Sequence, residues 1–293
     1  MVELHLQSMN NLQKSIIEYY DNTWLDYRVL WLNKKDRAIH FGYYESFTES
    51  HSQALEKLNQ VMADKAKINS SDILLDAGCG QGGSSLWLAK NIGCDTIGVT
   101  LVPHQVETAS KEAILRGLDH KSTFLQRDYT DTGLASSTFD IVWACESLCH
   151  AQEKIRFYTE AYRLLKPGGR LVVAEYIRKS RNFHPADEAI LNHWCKGWSM
   201  PDLDCWEEHE ANMKKNGFVH ISQTDITRNV MPSLSKLFRI SKKLMPLGIL
   251  LNKLRIRNNI KHGNQTASVS QYEALTKNLW YYCIFTAQKP TEN

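Results

Sequence analysis

From Ile73 to Val173 short apolar runs alternate with longer stretches of helical character. The runs are Ile73-Leu74-Leu75, Asp95-Thr96-Ile97-Gly98-Val99, Phe124-Leu125, Phe139-Asp140-Ile141-Val142-Trp143 and Leu171-Val172-Val173-Ala174. Each is short enough for a strand and too apolar for one solvated face, which predicts a parallel sheet covered on both sides. The intervening helices carry their own stops: Gly117 closes the segment that begins near Pro103, and Pro167-Gly168-Gly169 ends the one that begins near Glu153. A further helix is expected from about Ala186 to Trp198, with a break at Met200-Pro201. Asp204 and Glu207 are spaced as a capping box for the next helix, which Gly217 would end. Val219 to Thr224 and Tyr281 to Ala287 alternate as strands, an expected antiparallel pair interrupted by an insertion.

Charge changes the picture most in that insertion. Between Asp225 and Glu273 there is no acidic residue, while Arg228, Lys236, Arg239, Lys242, Lys243, Lys253, Arg255, Arg257 and Lys261 are basic. Leu237, Phe238, Ile240, Leu244, Leu247, Ile249, Leu250 and Leu251 are interleaved with them, and the segment reads as a basic amphipathic lid. A solvated helical face over the core, a peripheral membrane contact and a site for an anionic ligand all fit this pattern. Across all 293 residues the formal charge is only +3, which does not suggest a general nucleic-acid binder. Composition is that of a globular protein, 43% hydrophobic and 23% charged. The first fifteen residues lack the apolar core of a secretory signal, and the longest greasy stretch, Leu244 to Leu251, is far shorter than the ~20 residues that span a bilayer. Seven scattered cysteines argue against a disulfide framework, so reduced thiols in a cytoplasmic protein are the expectation.

The densest chemistry lies at Asp76-Ala77-Gly78-Cys79-Gly80-Gln81-Gly82-Gly83, where a buried strand enters a loop of four glycines and then a helix from near Ser84. Such a loop lets backbone approach a ligand where a side chain would collide. Gly78, Gly80 and Gly83 also satisfy the G-x-G-x-x-G spacing of dinucleotide sites. Two residues argue against that reading. Asp76 would face a pyrophosphate with negative charge but suits an ammonium or sulfonium. The next strand ends in Thr100-Leu101, with no acid where a dinucleotide fold holds its ribose. A ligand-free strand-turn-helix is the remaining alternative.

The Asp76 to Gly82 loop resembles the D-x-G-x-G-x-G motif of class I S-adenosylmethionine-dependent methyltransferases. Arg127-Asp128-Tyr129, Phe139 to Trp143 and Leu164 to Leu171 resemble that family's following motifs, in order, over roughly Ser71 to Tyr176. The resemblance implies an α/β, Rossmann-like methyltransferase fold: a mixed seven-stranded sheet with helices on both faces, an N-terminal helical cap over residues 1–70, and a methyltransferase domain over 71–293 carrying the helical lid at about 226–275. It implies S-adenosyl-L-methionine as cofactor, with Asp76 and the backbone of Gly78, Cys79 and Gly80 at the methionine part and Asp128 with Tyr129 at the adenine. Thr100, Leu101 and Gln105 look like a G-x-T-L-x-x-x-Q variant, with Thr100 standing where an acid usually contacts the ribose.

Glu146-Ser147-Leu148-Cys149-His150 follows the fourth strand, at the carboxyl end of the sheet where open α/β folds place substrates. The segment looks most like sterol, tocopherol-type and prenyl-diphosphate C-methyltransferases. Tyr19-Tyr20-Asp21 and His40-Phe41-Gly42-Tyr43-Tyr44 resemble the cap of those families. The resemblance implies a lipophilic acceptor, with C-methylation of an isoprenoid the leading expectation and N- or O-methylation of an amine, quinol or phenol the alternative. A non-catalytic cofactor-binding partner is the third reading.

An alkene acceptor needs a base or anion and aromatic faces. Glu146, with His150 and Tyr20, is the catalytic candidate, and Tyr19, Tyr20, Tyr43, Trp194 and Trp198 are the aromatic ones. For Glu146 a surface position at a helix start is the plainer alternative, and for His150 a structural hydrogen bond. A diphosphate acceptor would bring Mg²⁺ and need cations, for which Arg28, Arg178, Lys179 and Arg181 are candidates. Cys145, Cys149 and His150 lack a fourth ligand at recognisable spacing, so no metal site is expected of them.

Overall fold

The computed structural model describes residues 9–30, 37–45 and 50–291. Helices α1 (Asn11–Leu30) and α2 (His51–Ala66) precede the sheet. Then come β1 (Ile73–Ala77), α3 (Gly83–Asn91), β2 (Asp95–Thr100), α4 (Pro103–Leu115), β3 (Ser122–Gln126) and β4 (Phe139–Cys145). A 3₁₀ turn (Leu148–His150) leads to α5 (Lys154–Leu164), β5 (Leu165–Arg178), α6 (Pro185–Gly197), α7 (Trp206–Lys215) and β6 (Val219–Asp225). The chain ends with α8 (Thr227–Lys253), α9 (Asn259–Thr276) and β7 (Trp280–Gln288).

The seven strands run in the order β3-β2-β1-β4-β5-β7-β6, with β7 antiparallel to both neighbours and the other pairs parallel. The expected mixed sheet is therefore present, and its last pair closes across the α8–α9 insertion. Period-two alternation divides the central strands between two cores. Ile141, Trp143, Val172, Ala174, Tyr282 and Ile284 face one side with Trp194 of α6 and Trp280. Val142, Ala144, Val173, Phe285 and Ala287 face the other with Phe157 and Tyr158 of α5. Fully burying each large apolar side chain stabilises the fold by about 1.5–3 kcal/mol. β6 is largely exposed, as its polar His220, Ser222, Gln223 and Thr224 suit a sheet edge.

Two local expectations are corrected. Helix α5 stops at Leu164 and the chain is already in β5 when it reaches Pro167-Gly168-Gly169, because Thr138 N–H donates to Leu164 O (2.9 Å) and Phe139 pairs with Leu165. The capping box lies one residue later than Asp204–Glu207: Glu208 accepts from Cys205 N–H at 2.7 Å. That shift frees Glu207 and directs Asp204 towards Arg181.

The insertion is a helical pair. Phe238 of α8 stacks on Tyr272 of α9 with ring centroids 4.3 Å apart, and Gln265 Nε2 donates to Ser241 O at 3.0 Å. The strand-like segment His40–Tyr44 is tied to the same pair, with Gly42 N–H donating to Ser233 Oγ (2.9 Å) and Tyr44 N–H to Asn229 O (3.0 Å). Residues before the sheet and residues inserted late in the chain thus roof the same edge of it. Among the described residues no helix is long and apolar enough to cross a membrane.

Candidate active site

The order of strands reverses between β1 and β4, and outside their carboxyl ends lies a cavity of about 470 Å³. This is the switch point at which open α/β sheets hold ligands. The twelve residues named from the sequence as cofactor-binding or catalytic all line it: Asp76, Gly78, Cys79, Gly80, Thr100, Leu101, Gln105, Asp128 and Tyr129 of the first set, and Tyr20, Glu146 and His150 of the second.

The glycine loop turns on backbone bonds from Gly78 N–H and Cys79 N–H to Val99 O (2.9 and 3.0 Å). Its glycines have different reasons to be glycine. A Cβ on Gly78 would stand 2.3 Å from Ser147 Cβ, and one on Gly82 would stand 2.8 Å from the Phe124 ring. These two, with φ of +87° and +80°, serve packing. Gly80 (φ +52°) differs, since its Cβ would meet only Ile39, at 3.6 Å. A Cβ on Gly83 would stand 2.8 Å from the Arg37 backbone, so ligand clearance explains only Gly80 of the four.

Asp76 is buried and accepts from Ser85 Oγ at 2.5 Å. Burial pushes its carboxyl up to about 6, with the Ser85 bonds opposing. Thr100 Oγ1 donates to Gln105 Oε1 (2.7 Å), so this corner is a neutral pair. Asp128 accepts at one oxygen from Thr130 N–H and Oγ1–H (2.7 and 2.8 Å) and at the other from Gln13 of α1 (2.7 Å).

Glu146 is not at a helix start. It follows β4 in the left-handed region (φ +52°), pinned by its N–H to Ala174 O (2.9 Å). Its Oε1 accepts from Phe41 N–H (2.7 Å) and Tyr282 Oη–H (2.8 Å), and its Oε2 accepts from Tyr176 Oη–H. Burial raises the carboxyl to about 7 while these three donors pull it back. Phe41, Tyr176 and Tyr282 pack edge-on around it, with centroids 5.5–6.2 Å apart. Behind the site, buried Glu175 accepts from Cys149 N–H (2.9 Å) and fixes the 3₁₀ turn.

That turn carries His150 into the same cavity as Glu146, but no shared helical face joins them. His150 Nε2 and Tyr20 Oη are 3.0 Å apart, and Nδ1 lies 3.3 Å from Ser199 O. An N–H on Nδ1 satisfies that carbonyl and leaves Nε2 to accept from Tyr20. Burial holds the imidazole down at about 4, hence neutral near pH 7.

The model for a methyltransferase domain matches residues 75–173. A tocopherol O-methyltransferase of Arabidopsis thaliana is 26% identical over 97% of this chain and 84% of its own length. The sterol 24-C-methyltransferase ERG6 of Saccharomyces cerevisiae is 33% identical over 66% of this chain, which spans 50% of that protein. Among solved structures, the [4+2]-cyclase SpnF superposes with a TM-score of 0.79 at 25% identity, covering 96% of this chain and 97% of that one. The chain is a class I S-adenosylmethionine-dependent methyltransferase.

The methyltransferase's cavity fits that cofactor in its own chemistry. Gln81 Oε1 is buried on the wall with no partner among the described residues, and Gly80 leaves space beside it. Asp76 is a carboxylate that burial has starved of countercharge. An amino-acid ammonium and a sulfonium answer those needs and a pyrophosphate does not.

Of the aromatic candidates, Tyr19, Tyr20 and Trp198 line the cavity while Tyr43 and Trp194 do not. Phe41, Tyr27 and Tyr176 line it and were missed. Phe41 lies within a segment that resembles the family's cap, and Tyr176 comes two residues after the apolar run Leu171–Ala174 of the fifth strand. The cations proposed for a diphosphate lie elsewhere. Arg178 pairs with Glu188 and Asp202, Arg181 with Glu208 and Asp202, and Lys179 donates to Asn278. The Arg28 side chain lies outside the described residues. Among the described residues no cluster of three or more His, Cys, Asp or Glu is arranged to hold a metal ion.

Proposed function

We propose that the enzyme C-methylates an uncharged, lipophilic isoprenoid, with Glu146 as the anion that stabilises positive charge on the acceptor. The carrying observation is that Glu146 stands inside an aromatic frame of Phe41, Tyr176 and Tyr282, on the wall of the cavity that also holds the cofactor loop. Sterol and tocopherol methyltransferases, by their names, act on acceptors of this class.

The cofactor supplies an electrophilic methyl on a sulfonium. With the cofactor bound, an alkene carbon would form the new C–C bond with its π pair while the methyl–sulfur pair stays on sulfur, leaving the neighbouring carbon cationic until it gives up a proton. Aromatic faces and one carboxylate lower the energy of such a charge where water is excluded. With Phe41 N–H, Tyr176 and Tyr282 all donating to it, Glu146 has its orientation fixed and part of the basicity that burial gives it offset. It therefore serves as a held negative charge first. Proton removal at Glu146 would require one tyrosine to release it. Asp76 and Gln81 would hold the amino-acid part of the cofactor, and Asp128 with the backbone of Tyr129 the adenine.

His150 favours a second reading. Tyr20 Oη, whose proton is directed at Nε2 of a neutral imidazole, can accept the proton of a phenol or quinol while passing its own to Nε2, which is what O-methylation needs. Mass spectrometry separates the two readings. The enzyme is incubated with deuterated-methyl cofactor and a pool of sterols, free isoprenoids, prenyl diphosphates, quinols and amines. Label on carbon of an uncharged isoprenoid is expected. Label on oxygen or nitrogen, or on a diphosphate ester alone, would overturn the proposal.

A further inference from the structure

The wall of the cavity farthest from the sheet belongs to α8, through Leu237, Ser241, Leu244, Leu247, Gly248 and Leu251. The same stretch is apolar on its outside. Leu247, Leu250, Leu254 and Ile256 are 52%, 53%, 58% and 70% exposed, large values for side chains of this size, and Ile249 and Pro246 are exposed with them. Single exposed leucines need no explanation, but a run of them within ten residues does. Lys242, Lys243, Lys253 and Arg255 are exposed around this run, and no acidic residue lies between Asp225 and Glu273. On α1, Asp26 is paired with Arg257 (2.7 Å) and Asp21 is hydrogen-bonded to His104 (2.7 Å).

We propose that residues 243–256 rest on an anionic lipid bilayer, and that the acceptor passes from that bilayer into the cavity between Leu244, Leu247 and Leu251. Apolar side chains flanked by lysine and arginine are the composition by which a helix lies in the headgroup region, with leucines reaching the acyl boundary and cations meeting the phosphates. Leu244 and Leu247 are both exposed and on the cavity wall, so the apolar surface is continuous from outside to inside. A lipophilic acceptor could then move without entering water. The bilayer contact stands on the surface alone, whereas the entry route rests on the lipophilic acceptor proposed above.

Flotation of the full chain with vesicles tests the contact apart from turnover. Binding is expected to vesicles of phosphatidylcholine mixed with phosphatidylserine, to be weaker on phosphatidylcholine alone, and to fall as salt is added. Lys253→Gln and Arg255→Gln should each weaken binding to the anionic vesicles about fivefold. Leu250→Glu with Leu254→Glu should abolish it, and an unchanged melting temperature and unchanged S-adenosylhomocysteine affinity would show that the variant is folded. Equal flotation of that variant, or no flotation of the native chain, overturns the proposal. A concentration-dependent dimer that the same pair of substitutions dissociates, without vesicle binding, would assign the surface to a second copy and also overturn it. With binding upheld, turnover of a vesicle-embedded isoprenol that exceeds turnover of the same compound in detergent supports the entry route. Binding without any methyl transfer to isoprenoids would leave the contact standing and remove the acceptor reading.

Discussion

The two ends of the cavity are built by opposite strategies. The cofactor end is local: Asp76, the glycine loop and Gln81 fall within eight residues, Thr100 ends β2, and Asp128 stands just past the end of β3. The acceptor end is assembled from afar. Phe41 precedes the sheet, Glu146 follows β4, Tyr176 is on β5, Tyr282 on β7, and the outer wall is α8. The first arrangement relies on backbone geometry, which a sequence must encode contiguously. The second relies on side chains that tertiary packing brings together, so its members can change one at a time. Relatives whose names include an O-methyltransferase, a C-methyltransferase and a [4+2]-cyclase show one fold carrying different chemistries.

The largest test of that division is Glu146→Gln. It keeps the shape of the carboxylate and removes its charge, so kcat should fall about 10²- to 10³-fold, the loss typical of one electrostatic group aimed at developing charge. The affinity for S-adenosylhomocysteine should stay within about twofold, because the partners of the Glu146 carboxylate, Phe41, Tyr176 and Tyr282, all lie outside the cofactor end. Tyr176→Phe and Tyr282→Phe retain the rings but each take one donor from Glu146, and should lower kcat less than Glu146→Gln does. Equal loss of cofactor binding and turnover would show that the ends are not separable.

Next in size is a comparison within the glycine loop. Gly78→Ala puts a Cβ 2.3 Å from Ser147 at φ +87°, and overpacking with backbone strain should cost about 2–4 kcal/mol, read as a lower denaturation midpoint. Gly80→Ala meets only Ile39 at 3.6 Å, and should cost about 1 kcal/mol for its positive φ while weakening the cofactor's affinity by a larger factor than its stability change implies. If both lose stability equally and Gly80→Ala binds normally, Gly80 is not kept clear for a ligand.

The same contrast explains what was legible in the sequence. Strand-helix alternation and the glycine loop are properties of neighbours along the chain, so the parallel core and the residues flanking its carboxyl ends could be named. Glu146 could be named because it follows a strand in the central sheet, yet its donors could not, since nothing local links Phe41, Tyr176 and Tyr282. Glu146 and His150 share no helical face, because the chain passes from a left-handed residue into a 3₁₀ turn, held by Glu175 of β5 accepting from Cys149 N–H. Arg178 and Arg181 illustrate the reverse error. Cations near the expected mouth looked available, but acids from α6, α7 and the segment between them neutralise them.

A pH series sharpens the comparison further, with effects of about tenfold. Asp76 titrates at about 6 in the fold and near 3.8 otherwise. A cationic ligand prefers the ionised form, so cofactor affinity should be flat above about pH 6 and weaken by up to about tenfold per unit below it. Asp76→Asn should bind weakly with that dependence gone. The sign for ligand-free stability is the opposite. Asp76, Glu146 and Glu175 are raised to about 6, 7 and 8, so the folded chain holds these protons more tightly than the unfolded one. Their contribution is full below about pH 4 and is lost as pH rises to about 8, visible as a falling denaturation midpoint that cofactor partly restores.

The smallest effect concerns the tie between the ends. Gln13 on α1 donates to the Asp128 oxygen that Thr130 leaves free (2.7 Å), which is also the oxygen an adenine amino group would seek. A carboxylate oxygen can accept two bonds, so the amide and the amino group need not exclude each other, but they share one charge. Removing the amide by Gln13→Ala therefore strengthens the bond left to the nucleoside while loosening the first turn of α1. These contributions oppose, and the first is the more direct because it acts on the ligand itself. Calorimetry with S-adenosylhomocysteine should show affinity rising by no more than about fivefold, under the ~1.5 kcal/mol at the low end for a hydrogen bond to a charged group. A clear weakening would mean that α1 acts as a clasp over the cofactor, and that the cap belongs energetically to the cofactor end.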